Sequence, residues 1–384
     1  MNPKILFFLL LPLPVLPAQA GSSLAVRTGT LYVKPGKAIP RGVLLVRDGK
    51  VFALGRNLAV PSGARVLDWT DRIVAPGRID GWTQASTAGE GGELSTAWTP
   101  ALKAADALDP LDPIWRDFAS RGITSVVVTP DPSQVAGGLA CLVKTGSRPK
   151  VAEGALFLQF SLTSRARRRD RPPTSLAGQA ARIREGLRNV RARKDATLEG
   201  KILSRALAGK LPVLFACETP AEVQAALRLA GEFRLPKVLF ALPSACRPLP
   251  VLLEGTETAG LFLAPPSREA PAWSLRLPAL LARRGLPPAF ASASPAHPPL
   301  ELRLLPALAV RYGLPRREAL AAVTTRPARM LDLSWRIGSL ELGRDADFVA
   351  FDGDPLDPGS RVLAAYVEGR PAWTASSKKK ENRK

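Results

Sequence analysis

The chain has 384 residues, 46% of them apolar, which is enough to bury a large core and excludes a protein that is disordered throughout. Its 54 Lys and Arg against 33 Asp and Glu leave a net charge of +21. That balance favours anionic surfaces such as lipid headgroups, acidic glycans or nucleic acid, or reflects arginine written over solvated helix faces. Three cysteines, Cys141, Cys217 and Cys246, with no CxxC spacing exclude a disulfide framework, and the chain carries one histidine, His297.

In chain order, residues 1–20 read as a secretory signal: Lys4, an apolar run over 5–16, and Ala18-Gln19-Ala20 as a small-x-small cleavage site. The apolar run is short for a membrane span and is broken by Pro12 and Pro14, so a periplasmic or secreted location is expected. Short β-branched runs follow at 30–33, 42–46 and 51–55, and Asp48-Gly49 between the last two is a hairpin signal. A small β-sandwich half is expected over 21–70. The stretch from Arg72 to Ser86 then reads as a β-branched strand entered through Pro76-Gly77 and leaving with Asp80, Trp82 and Gln84 toward its C-terminal end.

Residues 87–113 are rich in Gly, Ala and Pro, as suits a long loop, and Asp112-Pro113 opens a helix ending near Arg121-Gly122. The run 123–128 is a strand of the parallel-sheet type, and further strands fall at 155–160, 212–217, 237–242, 258–264 and 289–294. Between them, residues 221–233 show helical spacing behind Thr219-Pro220, an N-cap followed by proline. This α/β alternation argues for a TIM-like β/α barrel over 71–334, one strand short of a full assignment.

The section 165–194 stands apart, with Arg165, Arg167, Arg168, Arg169 and Arg171 before a Pro-Pro break. A helix carrying Arg182, Arg184, Arg188, Arg191, Arg193 and Lys194 follows. These charges suit a polyanion or a solvated helix face. The absence of aromatic residues there argues against sequence-specific or single-stranded nucleic-acid binding. The basic tail 375–384 is expected to be disordered.

The segment Pro76-Gly77-Arg78-Ile79-Asp80-Gly81-Trp82-Thr83-Gln84 resembles the first barrel strand of the amidohydrolase superfamily, in particular its secreted, imidazolonepropionase-like members. There the segment runs Pro-Gly-x-Ile-Asp-x-His-x-His. Gly122-Ile123-Thr124-Ser125 is similar to the family's second strand, and Thr324-Thr325-Arg326-Pro327-Ala328 to its Thr-x-x-Pro-Ala element. The run Gly343-Arg344-Asp345-Ala346-Asp347 and Glu368-Gly369 resemble the second half of its β-sandwich. The resemblance implies a β/α barrel with a composite sandwich from 21–70 and 335–374. It also implies a zinc or similar ion that acidifies a water.

The ligand positions that the resemblance implies are altered. Trp82 and Gln84 stand where the two histidines belong, Ala216 at the histidine of the strand beginning Pro212-Val213, and the strand 237–241 has none. Ala293, or Ser294 with a one-residue shift, takes the place of the last strand's Asp. His297, in a Pro-rich loop, reads as a weak lone ligand or a surface histidine. Lys144 as a carbamylated bridge would have no ions to join, and Cys217 beside Glu218 has no imidazole to lower its pKa. The expectation is a pseudo-hydrolase of the cell envelope with no metal or cofactor, whose barrel mouth, with Trp82 and Gln84, binds a small molecule or a protein. Two rivals stand beside it: an active hydrolase of C–N bonds rewired around Asp80, Glu218 and His297, and a polyanion binder using 165–194.

Overall fold

Asp48 and Gly49 both adopt left-handed backbone angles (φ 52 and 77), as a two-residue hairpin between right-twisted strands requires. They join Gly42–Arg47 to Lys50–Arg56 with Arg47 opposite Lys50. The molecule is represented by a computed structural model that describes residues 23–87, 89–193, 197–243, 249–256, 258–267 and 269–375. The expected signal at 1–20, Lys194, Cys246 and the tail beyond Ala375 lie outside the described residues.

The two sandwich halves form one eight-stranded sheet. Its order runs from Arg370–Thr374 through Val362–Val367, Phe348–Phe351, Arg65–Pro76, Ser23–Lys34 and Gly42–Arg47 to Lys50–Arg56, with Lys37–Pro40 paired to Ser23–Lys34. The halves meet where Phe348 pairs with Pro76 and Phe351 with Ile73. Trp69, Phe348 and Tyr366 form an aromatic cluster on the buried face of this sheet, with Phe348 and Tyr366 stacked at 4.7 Å. The pairing takes in 71–76, which the sequence pattern had assigned to the barrel. The chain leaves the sandwich at Pro76, and Gly77 is the joint: a Cβ there would lie 2.0 Å from Thr124 Oγ1, so only glycine lets the two segments approach.

The rest is mixed α/β, built on two further sheets. In one, Arg78–Thr83 pairs in parallel with Ile123–Val128, followed by the antiparallel strands Cys141–Lys144 and Lys150–Glu153. In the other, Leu158–Ser161, Val213–Ala216, Val238–Leu242, Gly260–Leu263 and Ala289–Phe290 run parallel, with Ala136–Leu139 antiparallel at the edge. The seven parallel strands are those expected from the sequence, but they do not make one closed ladder. Residues 136–144 span one gap, pairing with each sheet in turn. At the other gap two backbone hydrogen bonds, Gln84 N to Ser294 O (2.8 Å) and Ala293 N to Trp82 O (3.2 Å), tie the ends of the first and last strands.

Alternation along these strands fills both faces. Phe160, Phe215, Phe240 and Leu263 pack outward against helices, while Leu214, Ala216, Leu239, Ala241 and Phe262 point inward with Ile79 and Ala291. The helix Pro220–Phe233 begins in a capping box: Thr219 Oγ1 accepts from Glu222 N, and the Glu222 carboxylate accepts from Thr219 N at 3.1 Å. The basic helix follows the Pro-Pro break, spanning Leu176–Arg193. The helix Pro299–Arg311 runs through Pro306. None of the helices among the described residues is long and apolar enough to cross a membrane.

Candidate functional site

The C-terminal ends of the parallel strands gather a polar layer above the apolar interior. Asp80 is fully buried and held by the last strand: Oδ1 accepts from Ser292 N at 2.9 Å and Oδ2 from Ser292 Oγ, while Trp82 N approaches Oδ1 at 3.4 Å. Burial raises its pKa from 3.8 to about 6 against the opposing pull of the Ser292 hydrogen bonds. Ser292 Oγ in turn accepts from Ser294 N at 3.1 Å.

Trp82 is half-buried, its ring packed against the interior cluster and its Nε1 donating to Gln159 Oε1 at 3.0 Å. Gln159 Nε2 closes the chain on Pro130 O at 2.8 Å. Gln84 donates to Thr129 Oγ1 at 3.0 Å, and Thr129 Oγ1 donates to Thr83 O at 3.2 Å. Gln84, Ser86, Thr87, Asp112, Asp131 and Arg165 border a cleft of ≈ 620 Å³ at this end of the strands. Trp82, expected with Gln84 at this mouth, is not among the residues bordering the cleft. Arg165 pairs with Asp131 at 2.8 Å across the cleft wall.

These residues do not fit a hydrolytic metal. Ala216 and Ala241 are buried within the apolar interior, and Ala293, 7% exposed, offers only a methyl group. Among the described residues no three His, Cys, Asp or Glu side chains converge to hold an ion. Glu218, exposed, accepts from Ser164 N at 3.3 Å and Ser164 Oγ at 3.0 Å. His297 pairs with Glu301 at 2.6 Å, so the structure does not gather Asp80, Glu218 and His297 about one point through shared hydrogen bonds. Cys217 is 2% exposed and packed in the core, which removes it from any substrate.

Lys144 is not available for a carbamate bridge. Its ammonium is buried where the sandwich meets the four-stranded sheet, 2.9 Å from Asp345 Oδ2 and in contact with Asp347. Arg336 and Lys50 reach the same Asp345 carboxylate at 2.9 and 2.5 Å. Burial alone would lower the lysine's pKa, but Asp347 and Asp345 hold it above its ordinary value.

The arginines read as a polyanion surface are largely turned onto partners of their own. Arg167 meets Glu222, Gln179 and Leu162 O; Arg168 pairs with Asp170; Arg171 donates to Leu94 O and Ser133 O. Along the helix, Arg182 pairs with Glu185 and lies over the Trp98 ring, Arg184 and Arg188 share Glu232, and Arg191 donates to Phe233 O. Arg169 remains exposed. Sequence reasoning passed over Gln159, Thr129 and Ser292. The one available signal was a polar residue inside each apolar run, as Gln159 is within Leu158–Ser161.

Comparison with known proteins agrees with this architecture. The model of the amidohydrolase family matches residues 308–372, the C-terminal helices and returning sandwich strands. Amidohydrolase tasK of Hapsidospora irregularis is 26% identical over 408 aligned positions covering 92% of this chain, and the chain spans 40% of the length of that relative. The crystal structure of an amidohydrolase from Thermotoga maritima MSB8 superposes with a TM-score of 0.83 at 23% identity, covering 92% of this chain and 100% of that one. A prolidase solved with N-methylphosphonate-L-proline gives 0.58 at 16% identity, covering 92% and 100%. Shared fold across nearly the whole chain, a curated relative aligned over 92% of it and the family's C-terminal element agree with the motifs from Pro76 to Glu368 and together support membership of the amidohydrolase superfamily.

Proposed function

We propose that this protein is a metal-free member of its superfamily, a binding protein of the cell envelope that takes a small polar ligand in the cleft above Gln84. The seven parallel strands are read here as an incomplete β/α barrel, with that cleft as its mouth. One observation carries the reading: where the resemblance calls for imidazoles and a carboxylate, the chain has Trp82, Gln84, Ala216 and Ala293, and the remaining Asp80 is committed to Ser292. Hydrolysis of an amide by an attacking water needs that water acidified by an ion or deprotonated by a general base, and a buried carboxylate with its oxygens occupied supplies neither. The cleft instead offers an amide, hydroxyls, two carboxylates and a guanidinium. Export rests on the sequence pattern of residues 1–20.

The rival is turnover, since the relatives carry the names of enzymes, amidohydrolases and a prolidase. The test is metal analysis of the purified protein after zinc loading and dialysis, with hydrolysis of N-acyl amino acids and dipeptides measured beside it. The expected result is far less than one equivalent of metal and no turnover above the uncatalysed rate. One tightly held equivalent, with metal-dependent turnover lost in Asp80→Asn or His297→Ala, would overturn the proposal.

A further inference from the structure

A guanidinium without a carboxylate sits at the seam between the sandwich and the opening strand. Arg78 is 3% exposed, and its Nη1 and Nη2 donate only to carbonyl oxygens, Arg121 O at 3.1 Å and Pro355 O at 2.7 Å. Its third close neighbour is the face of Phe351, 5.3 Å from the guanidinium carbon to the ring centroid. No acidic side chain pairs with it among the described residues, and the charge that acts on it is that of another cation, Arg303. Buried charges are ordinarily paired, because a cation taken out of water keeps most of its desolvation cost when only neutral dipoles face it. Burial, and after it the charge of Arg303, lower its pKa to about 9, which leaves it charged at neutral pH.

Beside it lies a cavity of ≈ 20 Å³ lined by Tyr32, Lys34, Ala75, Arg78, Phe351 and Pro355. A space of that size holds one occupant about as large as a water, so an organic carboxylate or a phosphate is too big. The second cation at the rim, Lys34, is itself tied to Glu341 at 2.6 Å, and the remaining walls are mostly apolar. A water needs two to four polar partners, which these walls supply poorly, whereas a small anion would gain the Arg78 guanidinium as its counter-charge and relieve that cation's own lack of a pair. We infer that the cavity beside Arg78 is a binding site for a single monoatomic anion, chloride under ordinary conditions, which neutralises the guanidinium where sandwich and opening strand meet.

The test is thermal unfolding of the full chain at constant ionic strength, with sodium chloride exchanged for sodium gluconate, an anion too large for the cavity. An ion that binds only the folded state raises the midpoint, by roughly 2 °C if chloride stands about twentyfold above its dissociation constant. Arg78→Gln is expected to abolish the difference. Equal midpoints in the two salts, or a chloride effect that persists in Arg78→Gln, would overturn the inference. Should that variant not fold, crystals of the unaltered protein grown in bromide decide it. An anomalous peak within hydrogen-bond reach of the Arg78 guanidinium supports the site, and an ordered water or an empty cavity there, with bromide seen elsewhere, refutes it.

Discussion

Replacing Asp80 by asparagine gives the sharpest reading of the site, because the substitution keeps the shape of the side chain and removes only its charge. The carboxyl is fully buried, and burial raises its pKa from 3.8 to about 6. That displacement corresponds to about 3 kcal/mol of preference for the neutral form in the fold. Since the folded pKa lies above the unfolded one, the favourable contribution is complete below pH 3.8 and is lost as pH rises through about 6. The asparagine has no charge to gain or lose across this range. Relative to the wild type, Asp80→Asn should therefore gain about 3 kcal/mol between pH 4 and pH 8. A constant offset of about 1 kcal/mol is expected because the amide cannot accept from Ser292 N and Ser292 Oγ as two carboxylate oxygens do. The assay is urea unfolding of both proteins at several pH values across that interval. Parallel stability curves would show that Asp80 titrates alike in both states and would refute the account of a buried, destabilised carboxylate.

Lys144→Met strips Asp347 of its buried partner and is expected to destabilise the protein by about 3–5 kcal/mol in urea unfolding. The deficit should narrow in acid as that carboxylate takes up a proton. At Gly81 a Cβ would fall 2.1 Å from the Phe262 ring, so Gly81→Ala should lower stability by about 2–3 kcal/mol, seen as an earlier thermal midpoint with unchanged zinc content. Converting Arg184 and Arg188 to glutamine removes both partners of Glu232 at the surface. It should leave the urea-unfolding midpoint nearly unchanged, as for exposed ion pairs, and leave the salt concentration for elution from heparin unchanged, whereas earlier elution would restore the helix as a polyanion site.

Among the described residues, several ligand positions are altered at once. Leu214, Ala216, Leu239, Ala241 and Phe262 fill the interior with apolar side chains, and Trp82 packs against them with its indole nitrogen tied to Gln159. Restoring a histidine in place of Trp82 or Gln84 alone would set one imidazole above an apolar floor, without the further ligands a zinc ion requires.

The sequence by itself determined what depends on near neighbours in the chain. The hairpin at Asp48-Gly49, the capped helix behind Thr219, the seven parallel strands and the family motifs were all legible, since turn chemistry, capping and periodicity act within a few residues. The tertiary structure alone decided who meets whom. Asp80 and Ser292 are 212 positions apart and Lys144 and Asp347 are 203 apart, so nothing local could mark the first as a closed pair or the second as a strut between sandwich and sheet. The same holds for Arg165, Arg167, Arg184 and Arg188, whose charges looked free in one dimension and are met by Asp131, Glu222 and Glu232 in three. The strand from Arg72 to Ser86 was divided for that reason too: Phe348–Phe351, arriving from the far end of the chain, claims Ile73 to Pro76 for the sandwich, and Gly77 lets the remainder turn into the next sheet.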